Sequence, residues 1–249
     1  QDLFQGCVQL AANPFAMGGG SKIHGHFTAP GVSCPLKGQT AVGIPKDLPV
    51  LFVSGSEDPV GKMGNGVAKA AENLREYGLD PDVIMYEGEM HCILDGKPGK
   101  KSRPDILKWL NRVNGDAGDD SEEHGPAYRT TEPEVFHIPS ALGDIELHCM
   151  KWEPLDEPRL VLQITHGMNE CMDAYTDFAS YMNANGIAVV GHDHRGHGGT
   201  GPVLGVTLEK KGDQEMVRDA LEVTRAIESM YPDKPVYLMG FGMGSFVAR

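Results

Sequence analysis

The stretch "YLMGFGMGSFVAR", Tyr237–Arg249, decides how the rest of the chain is read. An apolar run leads into glycines at alternate positions, and a helix-like start follows. That is the pattern of a strand-to-helix nucleophile elbow, G-x-S-x-G, in which the nucleophile sits on a sharp, strained turn. Gly240 and Gly244 stand where strand and helix must approach closely. The central position, where the elbow carries its serine, is Gly242. Ser245 lies three residues on, about one helical turn from the tip, and does not take the place over.

The second block of the chain builds an alternating pattern around this stretch. "IELHCMKWEP" alternates and reads as an antiparallel or edge strand. "RLVLQITHG" reads as a buried strand, "IAVVGHDHRGHG" as a strand running into a turn and "KPVYLMG" as the next strand. "AYTDFASYMNANG" and "DQEMVRDALEVTRAIESMYP" read as helices ended by Gly186 and Pro232. The first block carries the same alternation. "LPVLFVSG" (Leu48–Gly55) is a strand, "GNGVAKAAENLREYG" a helix stopped by Gly78, "DVIMYEG" (Asp82–Gly88) a strand and "DILKWLNRV" (Asp105–Val113) an amphipathic helix. Strands alternating with helices predict an α/β fold with a mostly parallel sheet flanked by helices. Between the blocks, "NGDAGDDSEEHGP" (Asn114–Pro126) is rich in carboxylates and glycines and holds almost nothing apolar, so it reads as a linker. The predicted organisation is 1–113, a linker at 114–134, and 135–249. The Gly- and Pro-rich residues 12–46 read as loop.

Net charge is -13, which excludes the basic surface that a nucleic-acid binder needs and disfavours an anionic lipid surface. No apolar run reaches the roughly 18 residues of a membrane span, and no signal peptide opens the chain. The 5 cysteines are Cys7, Cys34, Cys92, Cys149 and Cys171. They are scattered without C-x-x-C spacing, so a reducing, cytoplasmic setting is expected. His192, His194 and His197 crowd one turn, and "IHGHF" adds His24 and His26. H-x-H spacing suits zinc, but no Cys or carboxylate set completes a site. No metal is expected.

Four stretches fall just after predicted strand ends, where open α/β sheets gather their functional groups. They are "SGSEDPVG" with Asp58, "GEMHCI" with His91, "THGMNE" with His166, Gly167 and Met168, and "GFGMG" with Gly242 and Met243. An Asp and a His on successive strand ends is the arrangement that orients an imidazole as general base. Asp58 before Pro59 also suits a helix N-cap.

Together these stretches resemble the serine aminopeptidase S33 or lysophospholipase/monoacylglycerol-lipase branch of the α/β-hydrolases. "HGMNE" with "DHRGHG" resembles its oxyanion strand and following turn. "LPVLFVSGSEDPVG" with "YEGEMHCIL" resembles its acid and histidine segments, and "DILKWL" its last helix. The resemblance implies Asp58 and His91 as triad members, the Met168 and Met243 N–H groups as oxyanion donors, and Gly242 at the nucleophile position. It implies hydrolysis of a small acyl ester or lipid, with no cofactor, and makes the histidine-rich turn structural, fixed by Asp193 and Arg195. The chain departs from the pattern at Gly242, at Cys92, where the family usually has Glu, and in order. Such a hydrolase runs oxyanion loop, nucleophile, acid, histidine; here acid and histidine come first. A circular permutant or a fragment across two tandem hydrolases explains this, the fragment being favoured because the lid and one central strand have no visible counterpart. A catalytically silent binding module is the alternative reading, since Gly242 has no side chain to acylate.

Overall fold

A computed structural model describes residues 45–116, 132–205 and 212–248, with the backbone of 6–10. The linker and the 12–46 region fall largely outside the described residues, as do His24, His26 and the expectation of a missing lid.

Among the described residues the strands are β1 (Gly6–Leu10), β2 (Val50–Gly55), β3 (Asp82–Tyr86), β4 (Glu134–Pro139), β5 (Glu146–Trp152), β6 (Leu160–Thr165), β7 (Ile187–His192) and β8 (Val236–Phe241). They form one sheet in the order β3-β2-β1-β8-β6-β7-β5-β4. The pairs β3-β2, β2-β1, β1-β8, β8-β6 and β6-β7 are parallel; β7-β5 and β5-β4 are antiparallel. The α/β sheet expected from the sequence is present, with one correction. No central strand is missing, because β1 lies between β8 and β2 and pairs with both. "GCVQL" is too short, and too broken by Gly and Gln, to declare itself by periodicity. β5 is antiparallel but internal; the edge is β4, which the sequence reading passed over.

Side-chain parity sorts the two faces of the sheet. The larger core takes Leu51 and Val53 from β2, Leu160, Leu162 and Ile164 from β6, and Tyr237 and Met239 from β8. It is covered by α2 (Gly96–Asn114) and α3 (Thr176–Ala184), through Ile106, Trp109, Leu110, Phe178 and Met182. The intervening residues face the other way. Val161, Ala188 and Val190 pack under α4 (Gly212–Met230), and Val50 and Phe52 pack under α1 (Asn65–Glu76). Gln163 is buried on the α4 face with both amide ends used: it donates to the Ala220 carbonyl at 2.9 Å and accepts from Thr224 Oγ1 at 2.8 Å.

α2 begins nine residues before the predicted Asp105 and runs through Pro104. Its breaker-rich first turns are pinned from outside, by Ser102 Oγ donating to the Ile93 carbonyl at 2.5 Å and Arg103 Nε donating to the Leu94 carbonyl at 2.8 Å. The same helix joins the two blocks. The Trp109 and Tyr237 rings meet edge to face, 6.4 Å between centroids, and Asn111 and Asp116 both accept from the Arg159 guanidinium.

The turn after β7 is built as the sequence suggests. Asp193 is buried and accepts from the Met172 and Gly199 N–H groups, each at 2.7 Å, and faces His148 Nδ1 at 3.0 Å. Arg195 is buried between Asp219, at 2.7 Å, and Asp144, at 3.0 and 2.9 Å. Asp219 also accepts the Ala141 N–H at 2.8 Å. Asp219→Ala removes a buried charge-assisted bond while Arg195 keeps Asp144, and is expected to lower the unfolding free energy in urea titration by about 1.5–3 kcal/mol, beyond Glu222→Ala at the exposed pair with Arg225.

Burial sets the pH response of this region. It pushes His166 down to about 4, His192 down to about 3 and His194 well below the usual imidazole range. Their unfolded values are near about 6.5. As pH falls below that value the unfolded chain takes up protons that the folded chain refuses, so stability falls. Urea unfolding is expected to show a free energy that declines between about pH 6.5 and 4, with a shallower decline in His194→Gln. Equal slopes in the two proteins would contradict the assignment.

Candidate active site

Asp58 follows β2 and is fully buried. Its Oδ1 accepts the Val60 N–H at 2.8 Å, and its Oδ2 lies 2.9 Å from His91 Nδ1. The loop that turns the chain away has three consecutive left-handed residues, Lys62, Met63 and Gly64, at φ 51, 54 and 77°. The Met63 N–H closes it by donating to the Asp58 carbonyl at 2.7 Å. The loop after β3 is tied to this one by Ser56 N–H donating to the Tyr86 carbonyl and Glu57 N–H to the Glu89 carbonyl, each 2.9 Å. Those bonds deliver His91, whose ring rests on Phe241 with centroids 5.0 Å apart. With the Asp58 carboxylate accepting at Nδ1, the lone pair of the neutral ring is on Nε2.

The elbow brings Gly242 to that nitrogen. Gly242 has φ +50°, and a Cβ placed on it would lie 3.3 Å from His91 Nε2 and 3.7 Å from Gly167 Cα. The flanking glycines are there for close packing. A Cβ on Gly240 would strike the Gly244 carbonyl and Ser245 Cα, and one on Gly244 would overlap the Thr165 carbonyl. Ser245 is buried and its Oγ donates to the Gly240 carbonyl at 2.8 Å. It stays inside the strand–helix junction, as the spacing predicted. Met243 follows Gly242 directly and leads into α5 (Gly244–Val247).

The "HGMNE" loop meets the elbow through Gly167. His166 Nε2 accepts the His194 N–H at 2.9 Å, so its proton is on Nδ1, which donates to the Gly167 carbonyl at 2.7 Å. Glu170 accepts from the Gly167 N–H at 2.9 Å and from Tyr175 Oη at 2.8 Å. His197 Nε2 lies 2.6 Å from the Met168 carbonyl. The roles of Glu170 and His197 as braces of this loop are not legible from spacing, because each reaches the loop by folding rather than by sequence periodicity. Cys92, beside His91, is an exposed thiol that partial burial and the nearby Glu170 carboxylate push up, away from the thiolate.

Asp58, His91, Gly242 and Gly167 thus converge at the ends of β2, β3, β8 and β6. Among the described residues no three His, Cys, Asp or Glu side chains are arranged to hold a metal ion, and no helix is long and apolar enough to cross a membrane.

Residues 156–249 match the family described as serine aminopeptidase, S33. The monoglyceride lipase of Mus musculus is 31% identical over 112 residues, which is 45% of this chain and 36% of that protein. A monoglyceride lipase homolog of Monkeypox virus is 32% identical over 102 residues, 41% of this chain and 36% of that protein. The matched region is therefore 36% of the length of each of these relatives. Among solved structures, a lipase in its open form aligns with TM-score 0.44 at 25% identity, over 47% of this chain and 38% of the other. A monoglyceride lipase from Saccharomyces cerevisiae aligns with TM-score 0.40 at 22% identity, over 49% and 40%. Residues 156–249 thus resemble the serine aminopeptidase S33 family, and the chain is similar over part of its length to monoglyceride lipases.

Proposed function

We propose that the chain is a carboxylic-ester hydrolase scaffold of the monoacylglycerol-lipase type whose acyl-enzyme route is closed at Gly242. The observation that carries this reading is the line from Asp58 to Gly242. Asp58 Oδ2 is 2.9 Å from His91 Nδ1, and Nε2 of the same ring is 3.3 Å from the place of a Cβ on Gly242. An elbow residue within reach of a carboxylate-oriented imidazole is the geometry of acyl transfer. His91 takes the role of general base and Asp58 orients it. The Met168 and Met243 N–H groups take the role of oxyanion donors, with Gly167 held between Glu170 and His166 to fix the first of them. The segments 1–113 and 135–249, joined through 114–134, act as one site. Monoacylglycerol or lysophospholipid esters suit the site better than amides, and exposed Met90 and Met168 supply apolar surface beside it.

Gly242 also supports a second reading, a binding module that holds acyl esters without turning them over.

Restoring the nucleophile separates the two. Gly242→Ser is expected to take up one equivalent of a fluorophosphonate and to hydrolyse short-chain p-nitrophenyl esters with a kcat on the order of 10³-fold or more above the unmodified chain. The unmodified chain is expected to take up none. Stoichiometric labelling of the unmodified chain would show that another nucleophile operates. A folded but inert serine variant that still binds a monoacylglycerol analogue would favour the binding module.

The carboxylate can be tested in the same background. Asp58→Asn combined with Gly242→Ser is expected to lower kcat by about 10⁴-fold, because the amide holds the imidazole in the wrong tautomer. Stopped-flow release of p-nitrophenol measures it, and a loss under tenfold would remove Asp58 from the role.

A further inference from the structure

We infer that the chain with Gly242 in place hydrolyses activated carboxylic esters by direct attack of water, in one displacement and with no covalent intermediate. The inference rests on the ester-hydrolase reading above and adds the nucleophile. A serine at the elbow would place CH₂OH along the Cα–Cβ direction of Gly242. The atoms nearest to that Cβ place are His91 Nε2 at 3.3 Å, Gly167 Cα at 3.7 Å and His91 Cε1 at 3.8 Å. Removing CH₂OH leaves room for about one water molecule, whose share of liquid volume is about 30 Å³. The base that a serine would have used remains oriented by Asp58 at 2.9 Å.

The neighbouring hydroxyls are already committed. Ser245 Oγ donates to the Gly240 carbonyl at 2.8 Å, and Thr165 Oγ1 lies 2.9 Å from the Gly244 carbonyl and 3.2 Å from that of Met239.

The step balances without any further reactant. The water oxygen bonds to the ester carbonyl carbon while one of its protons passes to His91 Nε2, giving an imidazolium paired with Asp58 and a tetrahedral oxyanion. The oxyanion collapses and the bond from carbon to the leaving oxygen breaks. That oxygen takes the proton from Nε2, releasing acid and alcohol. A positioned general base contributes about 10²–10⁴-fold, so the rate is modest and is seen with good leaving groups.

The test compares the unmodified chain with Gly242→Ala, His91→Ala and Gly242→Ser, each checked for folding by circular dichroism, on p-nitrophenyl acetate. The unmodified chain is expected to exceed His91→Ala by about 10²-fold, with no burst of p-nitrophenol and no fluorophosphonate uptake. Gly242→Ala is expected to fall to the His91→Ala rate, because its methyl fills the water's place beside Nε2. It keeps the same backbone demand as Gly242→Ser, so a folded serine variant controls for strain. An unmodified rate equal to that of His91→Ala, or an alanine variant that keeps the unmodified rate, overturns the inference. If Gly242→Ser still labels and bursts in that case, the ester-hydrolase reading stands and only the water route falls. If Gly242→Ser is folded and inert, that reading fails and the inference fails with it.

Discussion

Five residues of backbone hold the two blocks in one sheet. Gly6–Leu10 pairs in parallel with Tyr237–Phe241 on one side and, through Cys7–Leu10, with Val50–Val53 on the other. β2 and β3, whose following loops carry Asp58 and His91, reach the elbow strand through this pairing. Its register has little freedom. Strand residues are spaced by about 3.3 Å, so a slip of one residue would move the Asp58–His91 pair by as much as the 3.3 Å between Nε2 and the Gly242 Cβ position. The contacts of α2 reinforce the register from one face, where Trp109 meets Tyr237 and Asn111 meets Arg159. The site is a property of the seam, since neither block contains it alone.

The three elbow glycines answer to different constraints. Gly240 and Gly244 are steric necessities, since any side chain there would drive into the backbone of the facing segment. At Gly242 the nearest atom to a Cβ would be a side-chain one, His91 Nε2 at 3.3 Å, a tight contact but not an overlap with backbone. The Gly242 φ of +50° is a conformation that costs a non-glycine residue about 1–3 kcal/mol. A serine at this tip carries that strain in exchange for chemistry, and glycine carries none.

Much of this was legible in the sequence because burial on both faces writes itself as unbroken apolar runs. "VLFVSG", "LVLQIT", "IAVVGH" and "VYLMGF" are all fully buried strands. Asp58 and His91 were legible from their places at successive strand ends. Other features are set by tertiary contact and leave no periodic trace. β1 takes its conformation from two neighbours rather than from its composition. β4 is an edge strand with alternating partial exposure, too short to stand out. The start of α2 carries Gly96, Pro98, Gly99 and Pro104 and is helical only because Ile93 and Leu94 supply acceptors for Ser102 and Arg103. The bond from His197 to the Met168 carbonyl spans 29 residues, a separation that no local pattern encodes.

The histidine-rich turn shows how the Met168 loop keeps its shape. His166, His194 and His197 lie ring against ring, with centroids 4.3 to 6.2 Å apart. His166 uses one nitrogen to receive the His194 N–H and the other to hold the Gly167 carbonyl. His197 holds the Met168 carbonyl from the opposite side. Two consecutive carbonyls of the loop are therefore fixed by imidazoles, and the Gly167 N–H is fixed by Glu170. None of these bonds involves Gly242, Asp58 or His91. The support of the loop is therefore independent of the residue at position 242. The same bonds leave neither ring of the bracing pair free to bind a cation, because both nitrogens of His166 are engaged and each nitrogen of His197 faces a carbonyl oxygen, at 3.1 and 2.6 Å. The cluster is better understood as a rigid brace that keeps the Met168 loop beside the elbow.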